Sequence, residues 1–313
     1  MSGAYLGVDT SNYTTSVACV SKEGIVFERR TMLSVALGER GLRQSDALFQ
    51  HVRNLPPLLD ALFASVERES IQAVGVSAKP TSAAESYMPV FLAGKLAANA
   101  LANALNVPLI ETTHQAGHVR AAMLGNEPEL EDKTFLSMHL SGGTTDVLKV
   151  TLVGDLIDSI ECIGGSEDLH AGQFVDRVGV RMGLPFPSGV ELEKLAHAAT
   201  DRSLRLPSSV KGLVCSFSGM ESQSMRLLDS GAERNTVAYA VYDAMARTFS
   251  KMLASATERT GCSTILLSGG VSGSMLLRDL LHERLQKDIL YAKPGLSSDN
   301  AVGVALQTRD LSE

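Results

Sequence analysis

The chain has 313 residues, 44% of them hydrophobic and 20% charged, with 27 glycines and 10 prolines. These values exclude a disordered, collagen-like or coiled-coil chain and allow one large domain or two of about 150 residues. The 28 Lys and Arg against 35 Asp and Glu leave a net charge of −7, so contact with nucleic acid needs a local patch or a partner. Four separated cysteines, Cys19, Cys162, Cys215 and Cys262, form no C-x-x-C pair, which speaks against a disulfide framework or a structural zinc site and for a reducing compartment. Met1 to Leu6 lacks a basic region followed by an apolar core. The most apolar stretch, Val90 to Val107, is broken by Lys95, Asn99, Asn103 and Asn106. The expectation is a cytoplasmic protein with no membrane span.

Tyr5 to Asp9, Thr14 to Val20 and Ile25 to Arg30 read as three strands, joined by Thr10-Ser11-Asn12 and by Lys22-Glu23-Gly24. Asp46 to Glu69 has a helical pattern punctuated by Pro56-Pro57. Gln72 to Ser77 is a strand, Ala83 to Leu105 a helix, Val107 to Glu111 a strand and His114 to Leu124 a helix. Gly125 to Lys133, with Pro128 and an acidic run from Glu127 to Asp132, reads as a solvated linker. The opening arrangement then recurs: Phe135 to Leu140, Thr144 to Val153 and Leu156 to Ile163 are strands, turning at Ser141-Gly142-Gly143 and Gly154-Asp155. Gly172 to Gly183, Val190 to Ala199 and the long Asn235 to Arg259 are helices. Thr264 to Leu267 is a strand, and Ser274 to Leu285 and Asn300 to Leu311 are the last helices. The pattern predicts an α/β protein with mixed sheets in two lobes, residues 1–127 and 133–298, with 299–313 returning to the first and a ligand cleft between them.

Several short motifs carry chemistry. His114 and His118 stand at i and i+4, on one face of a helix, where they can share a metal ion or simply be two partly exposed histidines. The H-E-x-x-H pattern of zinc peptidases is absent. Ser141-Gly142-Gly143-Thr144-Thr145-Asp146 can bring backbone amides and hydroxyls to a phosphate, or be a plain hairpin turn. Ser268-Gly269-Gly270-Val271-Ser272-Gly273-Ser274 runs from a strand into a helix, which suits a nucleotide contact or tight strand–helix packing; it is neither a Walker A loop nor G-x-G-x-x-G. Asp176 reads equally as a surface partner of Arg177 or Arg181. Ser298-Asp299-Asn300 reads as a helix N-cap, and Ser216-Phe217-Ser218-Gly219 as a turn beside a ligand or a strand end.

In this order the pieces resemble the TsaD (Gcp) family. They include Gly7-Val8-Asp9-Thr10-Ser11, His51 to Leu58, His114 to His118, Ser141-Gly142-Gly143 and Ala171 to Asp176. They continue with Gly183 to Gly189, Phe217-Ser218-Gly219, Gly269-Gly270-Val271 and Asp299-Asn300-Ala301. The resemblance covers nearly the whole chain. It implies a two-lobed actin-like (ASKHA, RNase H-like) fold and transfer of a threonylcarbamoyl group from threonylcarbamoyl-adenylate to a tRNA adenosine. It also implies an iron or zinc ion on His114, His118 and Asp299, and an adenine nucleotide, either the adenylate or ATP with magnesium. His139, Leu140, Ser141, Gly142 and Gly143 match the phosphate-side loop, Asp176 and Gly189 the sugar side, and Gly269, Gly270 and Ser274 the adenine-side turn, where Ser274 replaces an Asn. TsaB-like and TsaE-like proteins, tRNA held through the complex, and a homo- or heterodimer are the implied partners.

The departures cluster at the reacting centre. Thr10 to Thr15 stands where the family reads T-S-C-D-E-T, so Tyr13 and Thr14 replace two carboxylates and, with Asp9, are the candidates left for catalysis. Thr144-Thr145 replaces His-Thr, Gln173 replaces a Glu, and Ala78-Lys79-Pro80-Thr81 replaces a glycine-rich turn. This pattern suits a divergent paralogue. The alternatives are a non-catalytic or differently specific nucleotide-binding scaffold for a TsaD- or TsaB-type partner, and an actin-fold kinase. The latter is disfavoured by Asn12 and Tyr13 where a base aspartate would stand.

Overall fold

The computed structural model describes residues 3–11, 13–35, 42–130 and 133–313; Asn12 and residues 131–132 of the linker, among the positions singled out above, lie outside them. The chain opens with β1 (Ala4–Asp9), β2 (Thr14–Ser21) and β3 (Gly24–Met32), an antiparallel meander. Then come α1 (Gln44–Phe63), β4 (Ile71–Lys79), α2 (Phe91–Leu105), β5 (Leu109–Thr113) and α3 (His114–Met123). A four-residue helix α4 (Glu127–Leu130) leads to a second meander, β6 (Thr134–Leu140), β7 (Thr145–Val153) and β8 (Leu156–Ser166). Next are α5 (Ala171–Arg181), α6 (Gly189–His197), β9 (Ser209–Lys211), β10 (Val214–Ser216), α7 (Ser218–Asp229) and α8 (Arg234–Thr260). The chain closes with β11 (Ile265–Ser268), α9 (Met275–Leu285), β12 (Ile289–Tyr291) and α10 (Val302–Ser312).

The strands form two mixed sheets with one shared plan. The first has the order β3-β2-β1-β4-β5, and the second repeats it as β8-β7-β6-β11-β12 with β10 and β9 added beyond β8. In each, the meander is antiparallel and the later strands join the first one in parallel. Helices α3 and α10 lie between the sheets. Val119 and Met123 of α3 and Val302 and Leu306 of α10 share one apolar cluster with Tyr5 and Ala73 of the first sheet and Phe135, Leu148 and Leu266 of the second. Burying such residues, at about 25 cal/mol per Å², is what holds this central layer.

The approach of α10 is close because glycines line its track. A side chain at Gly7 of β1 would meet the Ala305 nitrogen and the Ala301 oxygen. One at Gly303 would meet the Gly117 carbonyl of α3. α10 therefore runs nearly backbone to backbone against β1 and α3, which fixes where the segment just before it, with Asp299, must sit.

Three sequence expectations are corrected. Pro56 and Pro57 do not break α1, which is continuous. The carbonyls they leave without an N–H partner are those of Val52 and Arg53, residues on the exposed face, where water can satisfy them. Ala83 to Val90 is not helical, and α2 begins only at Phe91. Pro89 disfavours helix at Met88, and Thr10 pins the true start by donating to the Val90 carbonyl (3.0 Å) and accepting from Gly94 N (3.0 Å). The acidic stretch is not simply solvated: Glu127 pairs with the buried Arg120 (3.7 Å), and Leu130 is in the core. Helix α7 and the three-residue strands β9, β10 and β12 had no expected counterpart.

α7 depends on a residue far from it in sequence. Asp168 accepts from Phe217 N (2.8 Å), Ser218 N (3.0 Å) and the Ser216 hydroxyl. Burial works against its charge, but the hydrogen bonds from Ser216, Ser218 and Phe217 outweigh it and hold the carboxyl well below the ordinary value of 3.8. Asp168→Ala should cost about 1–2 kcal/mol, the range for losing a helix cap. Because the folded carboxyl titrates low, this contribution is full above the unfolded pKa near 4 and is lost as pH falls toward the folded one. Urea unfolding of wild type and variant at pH 7 and pH 3 should show a gap that narrows in acid. A gap independent of pH would argue against the cap.

Candidate active site

Four element ends converge between the sheets: the C-terminal ends of β1 and β6, and the N-terminal ends of α3 and α10. α3 starts where Thr113 caps it, its hydroxyl accepting from Ala116 N (3.1 Å). This places His114 in the first turn and His118 one turn later on the same face. Their Nε2 atoms are 2.9 Å apart. Asp299 reaches them from the segment before α10, its Oδ1 3.1 Å from His118 Nε2 and 3.6 Å from His114 Nε2. That segment is held twice. Asn300 accepts from Val302 N (3.0 Å) just ahead of α10, and Arg30 of β3 donates to Ser298 Oγ (2.8 Å) and to the Gly295 carbonyl (3.0 Å).

Behind this trio lies Asp9, fully buried at the end of β1. Its Oδ2 is 3.1 Å from His114 Nδ1 and accepts from Ser11 Oγ (2.9 Å), while Oδ1 accepts from Ser77 of β4. The carboxylate fixes the His114 proton on Nδ1 and turns the Nε2 lone pair toward His118 and Asp299, as orienting carboxylates do in metal sites. On the other side the His139 ring, at the end of β6, packs edge to face on His118 with centroids 4.5 Å apart, and its Nδ1 lies 3.2 Å from Ser268 Oγ.

The donor set fits a metal ion. One ligand atom from each of His114, His118 and Asp299 lies within 4.8 Å of the others, and two imidazoles with one carboxylate suit zinc or iron. The electrostatics agree. Burial opposes a charge on His114, but Asp9 and Asp299 prevail and raise it to about 10. Burial and the neighbouring His114 keep His118 below its ordinary value, and burial with His118 and His114 keeps His139 well below. Asp299 is held far down: burial would raise it, and hydrogen bonds from His114 and His118 overcome that. Without a cation the site thus recruits a proton, which a metal ion would displace.

The turn after β6 adjoins this trio. Ser141 Oγ accepts from Gly143 N (3.2 Å) and Thr144 N (3.1 Å), and the Ser141 carbonyl accepts from Gly172 N (3.0 Å) at the start of α5. A side chain at Gly172 would meet the Gly142 backbone at 2.7 Å, so the turn lies directly on α5. Leu140 supplies only backbone here, since its side chain belongs to the core. Gly269 follows β11 with φ +86°, and a Cβ there would stand 2.3 Å from the Leu140 carbonyl. Glycine is needed there on both counts. Gly270 opens the helical turn Gly270–Gly273, and Ser274 caps α9 by accepting from Leu277 N (3.2 Å).

A small cavity of about 50 Å³ lies beyond the turn, lined by Tyr13, Gly142, Gln173, Asp176, Arg177, Val180 and Phe186. Tyr13 comes from the tip of the first meander and meets Phe186 across it, ring centroids 5.3 Å apart. Asp176 pairs with neither nearby arginine: Arg177 pairs with Glu221 and Arg181 with Asp229. It accepts instead from Ser188 N (2.7 Å), and burial pushes it up to about 6. Gly189 starts α6, and its carbonyl accepts from Tyr242 OH (2.9 Å). Thr14 is buried at the start of β2. Arg30, Gln115, Asp146 and Asp168 were given no role from sequence, although Gln115 and Asp146 stand inside the motifs quoted there. Their partners lie tens to hundreds of residues away, so no local pattern marks them.

Solved structures share this architecture. Component A of (R)-2-hydroxyglutaryl-CoA dehydratase from Acidaminococcus fermentans is 15% identical, with a TM-score of 0.63 over 99% of both chains. HypF of T. kodakarensis is 14% identical, TM-score 0.64, over 99% of this chain and 47% of that one. A ROK-family glucokinase from Streptomyces griseus is 14% identical, TM-score 0.57, over 98% of this chain and all of that one. The fold is therefore of the two-lobed actin-like (ASKHA) class, as the repeated sheet plan suggests. Within it, residues 38–306 match the model of the TsaD family, described as tRNA N6-adenosine threonylcarbamoyltransferase, and the chain belongs to that family. Among the described residues no helix is long and apolar enough to cross a membrane.

Proposed function

We propose that the chain transfers a threonylcarbamoyl group from threonylcarbamoyl-adenylate to an adenosine of tRNA. One observation carries the reading. In a chain of the TsaD family, His114, His118 and Asp299 meet from separate segments beside the small-residue turn that follows His139. When bound, an iron or zinc ion on these three supplies a Lewis acid for the carbamoyl carbonyl. Asp9 holds His114 in the ligating tautomer. Ser141, Gly142 and Gly143 take the phosphate, Asp176 and Gly189 the ribose, and Gly269 to Ser274 the adenine.

TsaB-like and TsaE-like proteins are the proposed partners, and tRNA binds through that complex; the net charge of −7 supports a shared rather than solitary RNA site. The test is a transfer assay with the adenylate, tRNA and both partner proteins. Modified tRNA should form with the wild-type chain and fail to form with His114→Ala/His118→Ala. A wild-type chain that binds metal and nucleotide but transfers nothing would overturn the reading. Tyr13, lining the cavity in place of a carboxylate, favours the scaffold alternative in that event. A stable heterodimer that stimulates a partner's transfer would then be expected.

A further inference from the structure

We propose that Asp146 is the general base that takes the proton from the attacking amine of the acceptor; this rests on the transfer reading above. Asp146 lies on β7, two residues past Thr144 of the turn and directly opposite His139 on β6. Opposed residues of an antiparallel pair share a face of the sheet. Here it is the face on which His139 packs against His118. Gln115, the residue after His114, reaches over and donates from Nε2 to Asp146 Oδ2 (3.3 Å). The carboxylate thus lies just past the turn, on the sheet face that His139 shares with His118, and bonded to the residue next to His114.

The other carboxylates around the cleft are committed. Asp9 is taken up by Ser11, Ser77 and His114, and Asp299 by the two histidines. Asp168 caps α7, and Asp176 receives Ser188 N at 2.7 Å beside the cavity lined by Tyr13 and Phe186. Tyr13 is no substitute, since burial raises its hydroxyl above the ordinary phenol value. Asp146 receives one long hydrogen bond from a neutral amide. Its Oδ1 lies beside Gly165 of β8, where a Cβ would come within 3.0 Å, so the glycine leaves that oxygen its space.

The groups packed around it permit this role. His139 faces it from β6, kept neutral by burial and by His118 and His114. Cys162 lies near it on β8, its thiol pushed up by burial and by the Asp146 charge. Gln115 comes from α3, and α8 packs on β7 as well. Burial places the Asp146 carboxyl near 6, so it is ionised at neutral pH and basic enough to accept a proton. In the step, a bond forms between the acceptor nitrogen and the carbamoyl carbon. The bond from that carbon to the phosphate oxygen breaks, its electron pair leaves with AMP, and the amine proton passes to Asp146 and then to water.

Asp146→Asn keeps an oxygen for Gln115 and removes the base. In the transfer assay kcat should fall about 100-fold or more, with KM for the adenylate and bound metal as in wild type. Wild-type kcat should decline as pH falls through about 6, and the variant should lose that decline. Asp146→Glu should recover part of the rate. A variant within about threefold of wild type, or one with the same acid limb, would overturn the proposal. A wild type without transfer would overturn the functional reading itself, and this proposal with it.

Discussion

His114→Ala/His118→Ala should retain no iron or zinc after anaerobic purification, where the wild type should hold close to one ion per chain. The geometry leaves little room for a substitute. The pair supplies two of the three donors that lie within 4.8 Å of one another, and a lone Asp299 is an ordinary carboxylate. A graded version is more telling. Asp9→Asn leaves all three donors in place and loses the charge that fixes the His114 tautomer, so affinity should drop about 10- to 100-fold rather than vanish. Elemental analysis of wild type, double variant and Asp9→Asn reads both effects at once. Wild type without metal after reconstitution would sever the histidine pair from any metal chemistry. Full affinity in Asp9→Asn would show that the carboxylate does not orient the ligand.

The largest structural effect belongs to Gly303→Val. A Cβ at Gly303 would sit 1.8 Å from the Gly117 carbonyl oxygen and 3.0 Å from Ala121 N, all backbone of α3. No rotamer change relieves that, so α10 and α3 must separate. The expected loss is about 3 kcal/mol or more, at or above the upper end for overpacking. It should appear as a lower urea midpoint at an unchanged slope. Metal affinity should fall in parallel, because displacing α10 carries Asp299 with it. Gly219→Ala, whose added Cβ meets nothing within 4 Å, is the matched control and should leave the midpoint nearly unmoved. A Gly303→Val chain with the wild-type midpoint would mean that the helices do not cross this closely.

The two sheets were legible because short polar or glycine turns punctuate apolar and β-branched runs: β1 to β3 and β6 to β8 lie within a few residues of the expected strands. The histidine pair was legible for a similar reason, since i, i+4 spacing is local. Asp299 was not. Nothing near it marks a ligand, and only the resemblance to TsaD singled it out; its distance from His118 is set by where α10 packs. Local rules also misjudged α1 and α2. Pro56 and Pro57 are tolerated because the carbonyls they orphan face solvent, and α2 starts late because Thr10, eighty residues earlier, holds its first turn. Asp146 and Asp168 gain their roles from Gln115 and from the α7 amides, partners that exist only once the chain is folded.

The seam of glycines under α10 also bears on the order of events during synthesis. Both histidines leave the ribosome with residues 114–118, yet the groove between β1 and α3 is filled only by residues 301–308, made nearly two hundred residues later. Until then Gly7, Gly75 and Gly117 line an open track, and the pair lacks its carboxylate. Such long-range closure is slow relative to local folding. The emerging chain therefore passes most of its synthesis with an unfinished centre, and metal binding by the three proposed ligands should come late, coupled to the docking of the helix that also completes the fold.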